Sequence, residues 1–97
     1  NILIMEKLTN YLENWANDRD INQPNNIEIH KSYSIEEDHI ELVWTMATEV
    51  KSYTLCYVFA VMATIDYIES IIKHIEEIKL PQIYNEHFNP NNNERNN

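Results

Sequence analysis

The hydrophobic residues of this chain change their spacing twice, and this change limits the folds that the chain can adopt. Over residues 2–17, Met5, Leu8, Leu12 and Trp15 recur at intervals of three and four, which is the pattern of an amphipathic helix. From residue 26 apolar and polar residues alternate, as in a strand with one buried face, and after residue 64 the helical spacing returns. The sequence therefore predicts an α+β fold with an N-terminal helix, a three-stranded antiparallel sheet and a C-terminal helix.

The alternating stretch divides into two runs on either side of the sequence IEEDHIEL, residues 35–42. Two such runs joined by about four residues predict a β-hairpin. The junction lacks Asn-Gly and Asp-Gly, which favours a turn based on type I over a two-residue primed turn. The apolar side of the hairpin is predicted to contain Ile27, Ile29, Lys31, Tyr33, Ile35, Ile40, Leu42, Trp44 and Met46.

The segment 52–62, SYTLCYVFAVM, is rich in Tyr, Val and Phe, and we predict a third, central strand with both faces covered. A buried helix is the alternative, because Val50, Tyr53, Tyr57 and Val61 also recur at helical spacing. Residues 64–79 are predicted to form a helix that Thr64 caps and Pro81 ends. The following QIYNEHF is expected to be a short edge strand or a packed turn.

The chain length fits one domain, which we place at residues 1–88, with a disordered Asn-rich tail at residues 89–97. Two helices on one face would cover the apolar side of the sheet and leave its edges open to a partner or a second copy. Glycine is absent, which excludes a Gly-rich phosphate loop, a dinucleotide fingerprint and a nucleophile elbow. Asparagine is expected to take the left-handed turn positions that glycine usually fills.

Negative charge is concentrated on the hairpin. The 97-residue chain has a formal net charge of −9, from 7 basic and 16 acidic residues, and such a chain repels a phosphate backbone. Residues 21–50 contain six carboxylates and one lysine, a net −5, so over half of the net charge lies there. We therefore expect no direct binding to nucleic acid, and an attraction to basic protein surfaces instead.

The single cysteine and the hydropathy pattern bear on location. Cys56 cannot form an intrachain disulfide, and the start NILIMEKL lacks the charged region of a signal peptide. The longest uncharged run, residues 52–65, has 14 residues, whereas a membrane span needs about 20. We therefore expect a reducing, cytoplasmic location and no membrane partner.

No sequence motif indicates catalysis. His39 and His74 have carboxylate neighbours, but no HExxH or CxxC pattern accompanies them. Cys56 lies in the most apolar segment, where a thiol is expected to be buried and inert. The carboxylates at the hairpin turn are expected to be too exposed for acid–base catalysis. We therefore predict a non-enzyme with no cofactor and no metal.

The combination of small size, acidity and absence of enzyme motifs predicts a protein that binds and blocks a basic, nucleic-acid-handling site on another protein. In these general properties the chain is similar to inhibitors from phages and mobile elements, including anti-CRISPR and anti-restriction proteins, and to immunity proteins. The alternative is a homodimeric acidic chaperone or adaptor that holds a client or a second copy at its sheet edge, through residues such as Tyr53 and Phe59. The residues predicted to contact the partner are Glu36, Glu37, Asp38, Glu41, Tyr33 and Trp44.

Overall fold

A computed structural model describes residues 2–18 and 26–91 of the chain. The predicted order of an N-terminal helix, a three-stranded antiparallel sheet and a C-terminal helical segment is confirmed. The chain divides into two compact units, Asn1–Ala63 and Thr64–Asn97. The prediction of a single domain over residues 1–88, with two helices on one face of the sheet, stays a prediction.

The first unit begins with helix α1, Ile2–Asn17, whose buried residues are Leu8, Leu12 and Trp15. These residues belong to the stripe that the three- and four-residue spacing predicts. The helix ends at Asn17, and the backbone N–H of Asp18 donates to the carbonyl of Trp15 at 3.2 Å. The connection from α1 to the sheet falls mostly on residues 19–25, which lie outside the described residues. At its end Asn26 has φ 59°, so asparagine here takes a left-handed position that favours glycine.

The sheet is a meander of strands β1 (Glu28–Ile35), β2 (His39–Ala47) and β3 (Ser52–Ala60). The alternation predicted for the hairpin is confirmed, because the register places the apolar positions of β1 and β2 opposite each other. Side chains on β2 alternate between the buried core face and the half-buried opposite face, which we call the open face. The core-face residues of β2, each at most 1% exposed, are Ile40, Leu42, Trp44 and Met46.

Three side-chain contacts join α1 to the sheet. The ring of Trp15 meets the ring of Trp44 edge to face, with centroids 5.2 Å apart and planes at 72°. The Nζ of Lys31 lies 5.2 Å from the centroid of the Trp15 ring, a cation–π distance. The hydroxyl of Tyr33 donates to Oε2 of Glu13 at 2.7 Å. This hydrogen bond, with a smaller contribution from burial and from the Glu13 charge, raises the pKa of Tyr33.

The third strand forms, but its predicted central position is wrong. The turn from Thr48 to Lys51 is short, and the N–H of Thr48 donates to the carbonyl of Lys51 at 2.8 Å. The chain therefore folds back directly against β2, which already pairs with β1 on its other side, so β3 becomes an edge strand. Cys56 lies opposite Val43 on the open face and is exposed, so the expectation that its thiol is buried is also wrong.

The second unit consists of α2 (Ile65–His74), a π-helical turn (Ile75–Lys79) and α3 (Leu80–His87). The predicted N-cap is confirmed, because Oγ1 of Thr64 accepts the N–H of Tyr67 at 3.2 Å. The π turn lengthens one helical turn by a residue, and the N–H of Leu80 donates to the carbonyl of Ile75. Within the π turn Ile75 is buried, whereas Ile78 is 46% exposed.

Pro81 does not end the helical segment, contrary to the prediction. It is the second residue of α3, and this helix follows directly on the π turn, in which the backbone hydrogen bonds change from i−4 to i−5 spacing. The segment QIYNEHF is accordingly helical rather than a strand or a turn. The side-chain amide of Asn89 donates to Oδ1 of Asn85 at 2.8 Å, and the boundary of the disordered tail at residue 89 stays a prediction. Residues 92–97 of that tail lie outside the described residues.

Within residues 2–18 and 26–91, no helix has both the length and the apolar character needed to cross a lipid bilayer.

Candidate functional site

The turn between β1 and β2 presents three consecutive carboxylates, Glu36, Glu37 and Asp38, which we call the acidic tip. All three residues are exposed. The turn is closed by the N–H of Glu36, which donates to the carbonyl of His39 at 2.8 Å. Positive φ is confined to Asn26 among the described non-glycine residues, so the turn is not of a primed type, as the missing Asn-Gly predicts. The strand ladder thus holds the acidic tip at a defined end of the sheet.

His39, the first residue of β2, connects the acidic tip to the open face. Its Nδ1 lies 2.7 Å from Oδ1 of Asp38, and its Nε2 lies 3.8 Å from Oε1 of Glu41. The hydroxyl of Ser34 donates to the other oxygen of Glu41 at 3.5 Å, the long limit of a hydrogen bond. The side chains of Asp38, His39, Glu41 and Ser34 therefore form one chain of polar contacts.

The contact between Asp38 and His39 changes the acidity of both groups. The hydrogen bond from His39 lowers the pKa of Asp38, with help from a backbone hydrogen bond and the imidazolium charge. The same hydrogen bond is the main cause that raises the pKa of His39, and the charges of Asp38, Glu41 and Glu36 act in the same direction. The net charge at this end of the sheet is thus sensitive to pH around the titration of His39.

Of the six residues predicted to contact a partner, three form the acidic tip in the hairpin turn and three lie on the two faces of the sheet. Glu41 extends the acidic tip along the open face, and its side chain is 41% exposed. Tyr33 and Trp44 lie on the core face, and Tyr33 is hydrogen-bonded to α1. Trp44 is 0% exposed and packs against Trp15, so it offers no surface to a partner, and we leave it out of the candidate site.

No lysine or arginine lies near the acidic tip along the two strands that carry it. The sequence has none between Lys31 and Lys51. Lys31 precedes Glu36 by five residues, which is roughly 16 Å along a strand, and it lies over Trp15. Lys51 is at the opposite end of the sheet, next to Ser52, which pairs with Ala47. Both separations exceed the screening length of about 8 Å at physiological salt, so neither lysine neutralises the acidic tip.

The described residues offer little for catalysis or for metal binding. No group of three His, Cys, Asp or Glu side chains within residues 2–18 and 26–91 converges to hold a metal ion. The same residues include no buried polar or charged side chain. His30 lies 3.1 Å from Glu28, and His87 lies 3.8 Å from Glu86. What the site can do is attract and bind cationic side chains.

Two features of this surface were missed by reasoning from the sequence. The sequence suggests His39 only as a metal ligand, although its neighbour Asp38 and the same-face residue Glu41 can be identified from the strand alternation. The sequence predicts open sheet edges and an edge site that includes Tyr53 and Phe59, but it places β3 in the centre and so does not identify this strand as the edge. Its lack of any charged residue is typical of a central strand, so the sequence signal was present but misleading.

Comparison with protein-family models, with curated proteins and with solved structures yields no match.

Proposed function

We propose that the protein binds another protein through the acidic tip and thereby blocks a positively charged, nucleic-acid-handling site on it. The observation that carries the proposal is the set of three exposed carboxylates on a hairpin turn with no lysine or arginine close by on the same strands. Carboxylates resemble phosphates as acceptors for arginine and lysine, so an acidic turn can occupy a site that otherwise binds a nucleic-acid backbone. This function requires no catalysis, and we propose a non-enzyme.

The binding energy is expected to arise from charge and from the rigidity of the turn. A tip held by the strand ladder loses little conformational entropy when it binds, whereas a flexible acidic tail would lose more. Long-range attraction to a basic surface raises the association rate and makes that rate fall with added salt. Glu41 adds a fourth carboxylate on the open face. A cytoplasmic location belongs to the proposal, because the exposed thiol of Cys56 is compatible with a reducing compartment.

The test compares two triple variants that change the net charge equally. The first is Glu36→Lys, Glu37→Lys and Asp38→Lys. The matched control replaces three exposed carboxylates elsewhere in the chain, and it consists of Glu6→Lys, Glu49→Lys and Glu69→Lys. Each variant changes three charges from −1 to +1, so the net charge of both goes from −9 to −3.

Tagged wild-type protein and both tagged variants are used to capture proteins from the native host. Nucleic-acid binding by the captured protein is then measured with and without the wild-type protein or each variant. We expect the wild type and the control to capture the same protein and to displace its nucleic acid, in a salt-dependent manner. The tip variant should do neither. Capture by the tip variant, or an equal loss in both variants, would show that the acidic tip is not the binding site.

The alternative function, a homodimeric chaperone or adaptor, is favoured by one observation, the exposed β3 edge. Of the two residues assigned to it, Tyr53 is 36% exposed, whereas Phe59 is only 3% exposed and packs against Tyr57. A client site on the core face would therefore depend on Tyr53 rather than on Phe59. Binding of a client without any charge-dependent partner would favour this alternative.

A further inference from the structure

Among residues 2–18 and 26–91, β3 pairs with β2 alone, and its other edge, which we call the free edge, is the least protected surface of the sheet. Its nine residues, Ser52–Ala60, include no charged residue and no proline, and most of them are exposed. Natural sheets usually protect their edges with lysine, proline, bulges or inward-pointing charges. The other edge strand, β1, has such protection, because it contains Glu28 and His30 and places Lys31 on the core face. An unprotected edge of this length is suited to pair with another strand.

The hydrogen-bonding pattern determines which backbone groups point away from the sheet. The bond from Thr48 to Lys51 makes those two residues a hydrogen-bonded pair of the β2–β3 hairpin. Bonded and non-bonded pairs alternate along an antiparallel ladder, so Tyr53, Leu55, Tyr57 and Phe59 bond to β2. The N–H and C=O groups that face the free edge belong to Ser52, Thr54, Cys56, Val58 and Ala60.

We propose that a second copy of this chain pairs with β3 through its own β3, antiparallel, around a two-fold axis at Cys56. Cys56 is the central residue of the strand, so this register uses all nine residues of both copies. It also places compatible side chains opposite each other, with no charge in any pair. On the core face Tyr53 meets Phe59 and Leu55 meets Tyr57; on the open face Thr54 meets Val58, Ser52 meets Ala60, and Cys56 meets its own copy.

Charge explains why two acidic chains can associate in this orientation. Ala60 pairs with His39, so the C-terminal end of β3 lies beside the acidic tip. Antiparallel pairing therefore puts the two acidic tips at opposite ends of a six-stranded sheet. The nine-residue length of β3 corresponds to roughly 30 Å, several times the screening length of about 8 Å. The same arrangement brings Lys51 of each copy toward the acidic end of the other.

The register is tested by two double variants that share one substitution. Thr54 is exposed and Val58 is 54% exposed, so both side chains can be replaced on the open face. Thr54→Lys with Val58→Lys places like charges opposite each other twice across the two-fold axis. Thr54→Glu with Val58→Lys places opposite charges in the same positions. We expect the first variant to raise the dimer dissociation constant by about tenfold or more and the second to leave it close to the wild-type value.

The dissociation constants are measured by sedimentation velocity over a wide range of protein concentration, with circular dichroism as the check on folding. Cross-linking of the wild type tests the axis independently of any substitution on the edge. Opposed Cα atoms in a hydrogen-bonded pair are about 5.5 Å apart, within the range that a disulfide spans. Diamide should therefore join Cys56 to its own copy by accepting the two thiol hydrogens, and Cys56→Ser should still dimerise but not cross-link.

A wild-type chain that stays monomeric at high concentration would overturn the proposal. So would equal dissociation of both double variants, or a dimer that diamide fails to cross-link. Dimerisation is measured on the chain alone, and partner binding is measured with the triple variant of the acidic tip, which changes no residue of β3. Failure of the dimer and failure of the proposed inhibitory function are therefore distinguishable.

Discussion

Replacing Trp44 tests whether this residue stabilises the fold or contacts a partner, as its aromatic side chain predicts. The side chain is 0% exposed and meets Trp15 edge to face at 5.2 Å. Trp44→Leu removes that ring contact and leaves a cavity that the surrounding core fills only in part. Truncation of a buried Trp to Ala costs about 3–5 kcal/mol, and Leu retains part of the volume, so we expect a loss of about 2–4 kcal/mol in the free energy of unfolding.

A double-mutant cycle isolates the ring–ring contribution from the loss of volume. Trp15→Leu alone also removes the cation–π contact with Lys31. The double variant, Trp15→Leu with Trp44→Leu, should lose less than the sum of the single variants, by about 0.5–1.5 kcal/mol, because the contact between the rings can be lost only once.

The assay is urea denaturation followed by far-ultraviolet circular dichroism, which does not depend on the tryptophans that are removed. Tyr67→Leu is the control, since Tyr67 is 51% exposed and its loss should change the free energy of unfolding by only about 0.5 kcal/mol. A cost below about 1 kcal/mol for Trp44→Leu, or a coupling of zero in the cycle, would refute the role of this pair in fastening α1 to the sheet. Folded Trp44→Leu should still capture the partner of the acidic tip.

Three further predictions concern single hydrogen bonds. Asp38→Asn should bring the raised pKa of His39 back toward 6.5 in an NMR titration. In the wild type, protonated His39 stabilises the folded chain fully below pH 6.5, and this stabilisation is lost as the pH rises through the raised pKa. Partner binding should strengthen over the same rise in pH, because His39 loses its positive charge, and pH-independent binding would contradict the place of His39 in the site. Glu13→Gln should lower the raised pKa of Tyr33 in an ultraviolet titration, and no change would exclude Glu13 as its cause. Thr64→Ala should cost about 1 kcal/mol in thermal unfolding of the second unit, whereas Thr64→Ser should cost less; equal costs would contradict the N-cap.

Local patterns in the sequence predict most of the secondary structure and part of the candidate site. The alternation around residues 35–42 is sufficient to place Glu36, Glu37 and Asp38 at a hairpin turn, since the alternation of side chains between two faces is a property of the strand itself. The same alternation assigns Trp44 to the core face. The prediction that Trp44 contacts a partner relies on its aromatic side chain and disregards this alternation. The hydrogen bond between His39 and Asp38 depends on rotamers that no periodicity specifies.

The sequence alone determines the order of the elements, the hairpin, the acidic tip and the Thr64 cap, because each depends on residues that are close in the chain. Only the tertiary structure decides that β3 is an edge strand, that Cys56 is exposed and that the helix continues past Pro81. Strand order depends on which strand pairs with which, and an uncharged strand fits both a buried centre and an unprotected edge. The passage of a helix through proline depends on the π turn before it, which no residue type specifies.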